Sequence, residues 1–314
     1  MKRKQSFFKK IDRLQSGKRL DQALVVLFPE YSRTQIKAMI VSGKVKLNEQ
    51  VVVMPDKKVS YGEYVKINVI LTNVRLLCAQ NIPLNIIYED NDIIVIDKQC
   101  NFVVHPGHGN HSGTVLNALL HYFPKIAEVP RAGIVHRLDK DTTGLMIVAK
   151  RSCIRNQLIK LFQSRRIRRE YEAVVCGLMN VNGTIKQPIS RHFVKRTHMM
   201  VHYMGKNAVT HYSILEQFRF HTRLRLRLET GRTHQIRVHM AYINHPLVGD
   251  QKYGTTQCLV QGMSSLLNDY LLNFNRQALH AIKLELNHPV TNIAMQFFSP
   301  LPQDITELLY KLKN

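Results

Sequence analysis

The sequence contains no long hydrophobic segment. Its longest apolar runs, such as ALVVLF and DIIVID, are far shorter than the roughly 18 residues that a membrane-spanning helix requires. The first residues, MKRKQSFFKK, lack the apolar core of a signal peptide. We therefore expect a cytosolic protein that does not associate with a membrane.

Cysteine is scarce and scattered. The five cysteines are odd in number, lie far apart and include no C-x-x-C pair. This spacing excludes the disulfide framework of a small secreted protein and the ligand pattern of a zinc ribbon. At 314 residues without a repeat or low-complexity tract, the chain is expected to form about two globular domains.

Acidic residues are also few. The 22 Asp and Glu face 45 Lys and Arg, which leaves a formal net charge of +23. Many cations fall in two clusters, KRKQSFFKKIDRLQSGKR and RSCIRNQLIKLFQSRRIRRE. Binding to a long polyanion is the usual reason for such an excess; the alternative is a solvated basic face in a generally basic proteome.

After a basic extension over residues 1–16, residues 17–75 have the pattern of a small domain of helices and strands. The order Arg-Leu-Asp, Ser-Arg, an Ile-rich helix, Gly-x-Val and a closing GEYVKI strand resembles the S4 RNA-binding domain. The resemblance implies a surface for RNA phosphates and sugars, which give affinity rather than sequence readout. Its expected cations are Arg33, Lys37, Lys44 and Lys46.

A linker over residues 76–83 is expected to lead into a second domain over residues 84–314. Clean alternation in TRLRLRLE predicts a strand with leucines on one face and arginines on the other. Helices are predicted in TVLNALLHYF, CIRNQLIKLFQS, THQIRVHMAYI and DITELLYKL. The pattern predicts an α+β domain with a mostly antiparallel sheet.

Metal and dinucleotide sites are not supported by the histidine and glycine spacings. His105, His108 and His111 lie close together in HPGHGNHSG, but no nearby acid or cysteine completes a ligand set, and the glycines miss the G-x-G-x-x-G spacing. His234 and His239 are five residues apart with no Glu between them, unlike the H-E-x-x-H zinc motif. We expect no metal and no cofactor.

Asp139 stands between cations in HRLDKDTTG, where turn residues separate the apolar runs GIVHRL and LMIVAK. These runs predict a hairpin with Asp139 at its tip. A surface pair with Lys140 is one interpretation. A catalytic carboxylate is the other, because neighbouring cations favour its ionised form and arginine can hold it with two parallel bonds. Arg237 is then a candidate partner, or an ordinary half-buried arginine paired elsewhere.

Three stretches in this order, HRLDKDTTGLMIVAK, REYEAVVCG and LETGRTHQIRVHMAYINHPLVGD, resemble the RluA family of pseudouridine synthases over nearly the whole chain. The resemblance implies a catalytic domain with a central, mostly antiparallel mixed sheet. It also implies isomerisation of uridines in 23S ribosomal RNA, in the helix 69 stem-loop. The expected partner is that RNA or a precursor of the large ribosomal subunit, and the protein is expected to be a monomer.

By the same resemblance, Asp139 is the catalytic aspartate and Arg237 its ion-pair partner. Tyr171 stacks on the target uracil and is a candidate base. Arg137 fills the gap that the flipped base leaves. Further substrate contacts are expected from His136, Arg232, Thr233 and His234.

The chemistry of uridine isomerisation agrees with these residue types. The base must leave the RNA stack before its bond to ribose can be exchanged, so base flipping and a stacking ring are expected. Three routes stay open for the aspartate: attack at ribose C1′, addition to C6, or removal of the 2′ proton to give a glycal, which we favour. Departures from the family pattern are Lys98-Gln99, where many members have Lys-Pro, and residues 255–275.

Two other functions are consistent with parts of the sequence. A non-catalytic factor that binds ribosomal RNA would keep the fold without turnover. A nuclease using His and Asp would need a metal or a paired acid and base, which the sequence does not supply.

Deletion of residues 1–75 is expected to weaken RNA binding and flatten its salt dependence, because fewer phosphates are neutralised. Modification at saturating RNA is expected to persist. Binding measured at several KCl concentrations tests this. Equal salt slopes for the full and shortened chains would contradict it.

Overall fold

The computed structural model describes residues 3–28, 31, 33–71, 78–107, 109–254 and 262–313. The chain divides into two compact units, Met1–Leu77 and Cys78–Asn314. Of the predicted linker over residues 76–83, the first two residues lie outside the described part of the chain. Among the helices that are described, none combines the length and the apolar character needed to cross a membrane.

The α-helices are α1 (Leu20–Leu27), α2 (Arg33–Val41), α3 (Val115–Tyr122), α4 (Ser152–Gln163), α5 (Gln235–Tyr242), α6 (Ser265–Asn273) and α7 (Gln303–Lys313). The strands are β1 (Arg3–Lys10), β2 (Val45–Leu47), β3 (Gln50–Val51), β4 (Tyr64–Leu71), β5 (Asn85–Glu89), β6 (Ile93–Lys98), β7 (Thr143–Ala149), β8 (Arg168–Cys176), β9 (Gly183–Ile185), β10 (Ile189–Arg191), β11 (Met199–Val201), β12 (Thr210–Gln217), β13 (His221–Leu228), β14 (Leu279–Asn287) and β15 (Ala294–Phe298).

The first unit has a four-stranded antiparallel sheet in the order β1-β4-β2-β3. Apolar residues at helical spacing, Leu20 and Leu24 in α1 and Ile36 and Ile40 in α2, are fully buried in one core. This arrangement of two helices against a small sheet confirms the predicted helix-plus-strand domain.

The N-terminal segment differs from the sequence prediction. Residues 1–16 were expected to precede the domain, whereas β1 pairs with β4 along its whole length. Strand β1 lies at the edge of the sheet, and its sequence is only weakly hydrophobic. Phe8 in this strand is 59% exposed, and the Lys66 ammonium lies 4.8 Å from the centre of its ring. Backbone pairing forms this strand, and hydrophobic periodicity does not reveal such an interaction.

One buried carboxylate, Asp21, organises the cations of the first unit. Its side chain has no exposed surface, and Arg33 donates to it from Nε and Nη2 at 3.2 and 3.0 Å. Arg19 Nε donates at 3.2 Å and Lys37 Nζ lies at 3.7 Å. Burial alone would raise the pKa of Asp21, but the hydrogen bonds from Arg33 and Arg19 outweigh it and hold that pKa below its ordinary value.

The second unit is built on a nine-stranded sheet in the order β5-β6-β7-β14-β8-β13-β12-β9, with β15 on β14. β7 and β14 pair in parallel, and every other described strand pair of this sheet is antiparallel. The predicted mixed, mostly antiparallel sheet is confirmed. At the parallel pair Gly144 has φ 110°, and a Cβ there would collide with the backbone of Ala281; only glycine permits this approach.

The alternating strand β13 lies beside β8 in the middle of this sheet. Leu224 and Leu226 are fully buried in the same core as Tyr171. On the opposite face, Arg223 Nη2 and Arg225 Nη2 donate to the buried Glu172 at 2.6 and 2.8 Å. The predicted division into a leucine face and an arginine face is confirmed.

The four helices predicted in the second domain correspond to α3, α4, α5 and α7. Helix α6, within the stretch 255–275, was not predicted. Ser264 caps it by accepting the Leu267 N–H at 3.3 Å. Leu267, Tyr270, Leu271 and Phe274 have helical spacing and pack in one hydrophobic cluster, so this signal was present in the sequence and was overlooked.

The predicted hairpin around Asp139 is wrong in its first half. Only the second run is in a strand, β7, which ends at Ala149; before it, Ile134 makes one isolated bridge with Val148. His136 takes the place of further ladder bonds, since its Nε2 accepts the Ile147 N–H at 2.9 Å. Burial, assisted by the charge of Arg169, lowers the pKa of His136 to about 3, so the ring stays neutral and keeps this bond.

Asp21→Asn is expected to destabilise the first unit by about 1–2 kcal/mol at pH 7, a modest loss because solvent screens its half-exposed partners. With a lowered folded pKa, the contribution of Asp21 is complete above the ordinary carboxyl pKa of about 4 and is lost as the pH falls through the lowered value. Amide hydrogen exchange of α1 and α2 between pH 7 and 3 tests this. The same acid sensitivity in wild type and variant would contradict it.

Candidate active site

Asp139 and Arg237 meet in the structure although 98 residues separate them in the chain. Arg237 Nη1 donates to Asp139 Oδ2 at 3.0 Å. Asp139 ends the extended segment before β7, and Arg237 projects from α5. The side chains are 15% and 6% exposed, so the pair is largely withdrawn from water. The predicted contact is present, and Lys140 is exposed instead of occupying this place.

Asp250 holds Arg237 from its other side. Arg237 Nε and Nη2 donate to the two oxygens of Asp250, each at 2.7 Å, and the Asp250 side chain has no exposed surface. Asp250 Oδ1 also accepts the backbone N–H groups of Lys252 and Tyr253 at 2.9 and 3.2 Å. The guanidinium is therefore clamped by Asp250, and only Nη1 extends to Asp139.

Sequence reasoning missed Asp250. It closes the stretch NHPLVGD, directly after an apolar run, and it is one of few acids in a strongly basic chain. Those two signals could have marked it as a partner for a buried cation.

The charge of Arg237 is secured by its partners. Burial alone would lower the pKa of Arg237, but the hydrogen bonds and charge of Asp250, together with Asp139, raise it above its ordinary value. The guanidinium is consequently a permanent, oriented cation beside Asp139.

His234 and Tyr253 are two uncharged side chains that lie next to the pair of Asp139 and Arg237. His234 Nδ1 lies 2.7 Å from the Tyr253 hydroxyl, and its Nε2 lies 3.9 Å from Asp139 Oδ1. Burial lowers the pKa of His234 to about 4, although Asp139 acts in the opposite direction. The imidazole is therefore uncharged at neutral pH and is not an ion-pair partner of Asp139.

Tyr253 also contacts strand β11 and Arg237. Its hydroxyl oxygen accepts the Met199 N–H at 2.8 Å, which leaves the hydroxyl proton for His234 Nδ1. The Arg237 guanidinium lies over its ring at 5.2 Å. Tyr253 was not identified from the sequence.

Tyr171 lies on β8, is 5% exposed and belongs to the core beneath the sheet. Burial raises the pKa of Tyr171; the charge of Arg169 opposes this and that of Asp139 adds to it. The phenol is therefore protonated at neutral pH, within the electrostatic influence of Asp139.

Lys98 supports the turn that follows Asp139. It is 1% exposed, and its ammonium donates to the carbonyls of Gln99, Phe102 and Lys140 at 2.7, 3.0 and 2.8 Å. Burial lowers the pKa of Lys98 to about 8. Its third bond fixes the backbone one residue beyond Asp139.

The other predicted substrate contacts lie in different settings. Arg137 is exposed two residues before Asp139, and Thr233 is exposed before α5. Arg232 is exposed, and its Nε donates to the Asn207 carbonyl at 3.0 Å. His136 is directed towards β7 and bonds to its backbone, so it does not extend into solvent.

In the first unit, the four predicted RNA contacts are half-buried or exposed. Arg33 and Lys37 keep 51% and 48% of their side-chain surface while facing Asp21. Lys46 pairs with Glu49 at 3.2 Å, and Lys44 forms no ion pair within the described part of the unit. Their proposed role in RNA binding stays a prediction.

Among the described residues, one acidic cluster could hold a metal ion by distance: Asp90, Asp92 and His288, with potential ligand atoms within 4.8 Å. Its carboxylates already have partners: Asp90 Oδ1 accepts the N–H groups of Asp92 and Ile93, and Asp92 pairs with Arg151. His288 Nδ1 accepts the Thr291 N–H at 3.1 Å, and its Nε2 lies 3.1 Å from Asp90 Oδ2 without forming a hydrogen bond. Of the three predicted loop histidines, His108 lies outside the described residues.

Comparison with protein families gives two matches. Residues 92–242 match the model described as RNA pseudouridylate synthase. Residues 18–63 match the S4 domain. The first match contains Asp139, Tyr171 and Arg237, and the second contains the predicted cations of the first unit.

Curated relatives are similar over almost the whole chain. Ribosomal large subunit pseudouridine synthase D of Haemophilus influenzae is 57% identical over 299 residues, which cover 95% of this chain and 92% of that protein. The protein of the same name from Escherichia coli K12 is 58% identical over 295 residues, 94% of this chain and 90% of that protein.

A solved human structure, RNA Pseudouridylate Synthase Domain Containing 4, is similar with a TM-score of 0.57 and 24% identity, covering 73% of this chain and 92% of that one. Human RNA Pseudouridylate Synthase Domain Containing 1 has a TM-score of 0.55 at 24% identity, covering 74% and 96%. At this identity the likeness shows the fold alone.

Asp250→Ala is expected to lower the free energy of unfolding by about 3 kcal/mol or more, because it leaves the buried Arg237 with a single partner. Glu285→Ala is the control. It removes a partly exposed pair with Lys283 and is expected to cost about 1 kcal/mol or less. Chemical denaturation of both variants tests the difference, and equal losses would contradict it.

Proposed function

Because the chain belongs to the RNA pseudouridylate synthase family, we propose that it converts specific uridines of 23S ribosomal RNA, in the helix 69 stem-loop, to pseudouridine with Asp139 as the catalytic group. Its 57–58% identical relatives are ribosomal large subunit pseudouridine synthases, which supports the ribosomal substrate. The observation that carries the site is the Asp139 carboxylate in contact with Arg237, which Asp250 clamps.

The reaction breaks the bond between ribose C1′ and N1 of uracil, forms a bond between C1′ and C5, removes a proton from C5 and adds a proton to N1. No atom is gained or lost, so the enzyme must supply position, charge and proton transfer. Asp139 supplies an ionised carboxylate beside a cation that cannot lose its proton. We favour the glycal route, in which this carboxylate removes the 2′ proton and later returns it.

Attack at C1′ and addition to C6 would use the same carboxylate in the same place. The clamp by Asp250 suits all three routes, since it keeps Arg237 oriented while the charge on Asp139 changes. It acts through Arg237 and does not itself touch the substrate.

Tyr171 is assigned to stacking on the displaced uracil. Its raised pKa makes the phenolate scarce at neutral pH, so the ring face is the useful part of the side chain. Water then takes the proton from C5 in the last step.

Base flipping explains the remaining placements. Bases can be modified only after they leave the stack, and the exposed Arg137, two residues before Asp139, is placed to occupy the gap. The cations of the first unit would hold RNA phosphates and add affinity without reading sequence. We further propose that the protein acts in the cytoplasm as a monomer and supports assembly of the large ribosomal subunit.

Asp139→Asn is expected to reduce pseudouridine formation by about 10²-fold or more, the scale of a lost proton-transfer group, while RNA binding persists. Asp141→Asn, in the same turn, is the matched control and is expected to keep most of the activity. Pseudouridine mapping on a 23S RNA fragment gives the readout. Full activity of the Asp139→Asn protein would refute the assignment, and a purely RNA-binding function would leave wild type equally inactive.

A further inference from the structure

A groove of about 870 Å³ lies outside the site around Asp139. One wall is the last two turns of α4 with the turn that follows it, and the other is the hairpin formed by β14 and β15. The start of β8 contributes Arg168 between them. Leu161, Leu286 and Met295 form the apolar part of the lining.

The groove carries unmatched positive charge. Lys160, Arg166 and Arg168 line it, all three are exposed, and none has an ion-pair partner among the described residues. The remaining charges are matched: Arg165 pairs with Glu229, and Glu285 pairs with Lys283 at 2.6 Å. A polyanion therefore meets three available cations and no competing free carboxylate.

The local backbone explains only part of this charge. Helix α4 ends in a Schellman motif, with Arg165 at φ 58° and the Arg166 N–H donating to the Leu161 carbonyl at 2.9 Å. The negative end of the helix dipole favours a cation in this last turn, such as Lys160. Arg168 belongs to β8, beyond the helix; Glu285 is its neighbour on β14 but bonds to Lys283.

The groove lies on the opposite face of the sheet from Tyr171. Successive side chains of a strand alternate between faces, so Arg168 and Tyr171, three positions apart on β8, point to opposite sides. The cores agree: Tyr171 packs in one hydrophobic cluster, whereas Leu284 and Leu286 belong to another. Arg168 is the first residue of β8, so an RNA segment that contacts both faces passes around this end of the strand.

We propose that this groove is a second RNA-binding site, which holds the sugar–phosphate backbone of a segment adjoining the modified nucleotide. The inference rests on the proposed function, because the RNA that enters the site at Asp139 is the polyanion available to the groove. The cations bind phosphates, and the side-chain amides of Gln157 and Asn292, which also line the groove, suit ribose hydroxyls. An acidic segment of a protein would also satisfy the cations, but the proposed function supplies RNA as the polyanion.

The test compares two triple variants with wild type. One carries Lys160→Gln, Arg166→Gln and Arg168→Gln. The control carries Lys125→Gln, Arg219→Gln and Lys311→Gln, which removes the same charge from exposed positions that do not line the groove. The probe is a transcribed 23S RNA fragment that contains the helix 69 stem-loop and its flanking nucleotides.

For the groove variant we expect the slope of log Kd against log salt to fall by about 2, from three lost contacts at roughly 0.7 each on single-stranded RNA. KM should rise about tenfold while kcat at saturating RNA is unchanged. The control should keep the wild-type slope and KM. The same slope in the groove variant and the control would overturn the proposal.

A second measurement does not depend on the variants. In wild type, acylation of the Lys160 amine should slow when RNA is bound, whereas acylation of Lys125 should not, and an unprotected Lys160 would also overturn the proposal. Failure of the proposed function gives a different result: the wild-type protein would bind the fragment through the groove but would form no pseudouridine.

Discussion

The second unit depends on one buried guanidinium held between two carboxylates. Asp250 takes two of the donors of Arg237, and the remaining donor reaches Asp139. A buried charge is tolerated only when it is paired and hydrogen-bonded, and Asp250 and Asp139 together meet this requirement for Arg237. This constraint joins α5, the turn after it and the segment before β7 around the Asp139 carboxylate.

Because acidic residues are scarce, the pairing of buried carboxylates with arginines also organises other parts of the chain. In a chain with a net charge of +23, a few buried carboxylates determine which cations are structural. Asp21 gathers Arg33 in the first unit, and Glu172 gathers Arg223 and Arg225 on the sheet. Cations outside these networks, such as those of the groove beside α4, remain available for a polyanion.

Patterns that depend on near neighbours were readable from the sequence. The described helices other than α6, the alternating strand β13 and the small helix-and-strand domain were predicted from the local spacing of apolar residues. The pairing of Asp139 with Arg237 was reached through the family resemblance of two motifs. The hairpin before β7 was mispredicted, because the His136 ring replaces a strand partner through a side-chain bond that periodicity cannot encode.

By itself, the sequence determined the net charge of +23, the division into two units and the α+β class. Only the tertiary structure decided that Asp250 is the second partner of Arg237, that residues 3–10 complete the first sheet, and that Arg166 and Arg168 face one groove. The physical reason is that long-range pairing depends on where distant elements meet. Burial, and the pKa shifts that burial causes, depend on which elements pack together and cannot be read from any single segment.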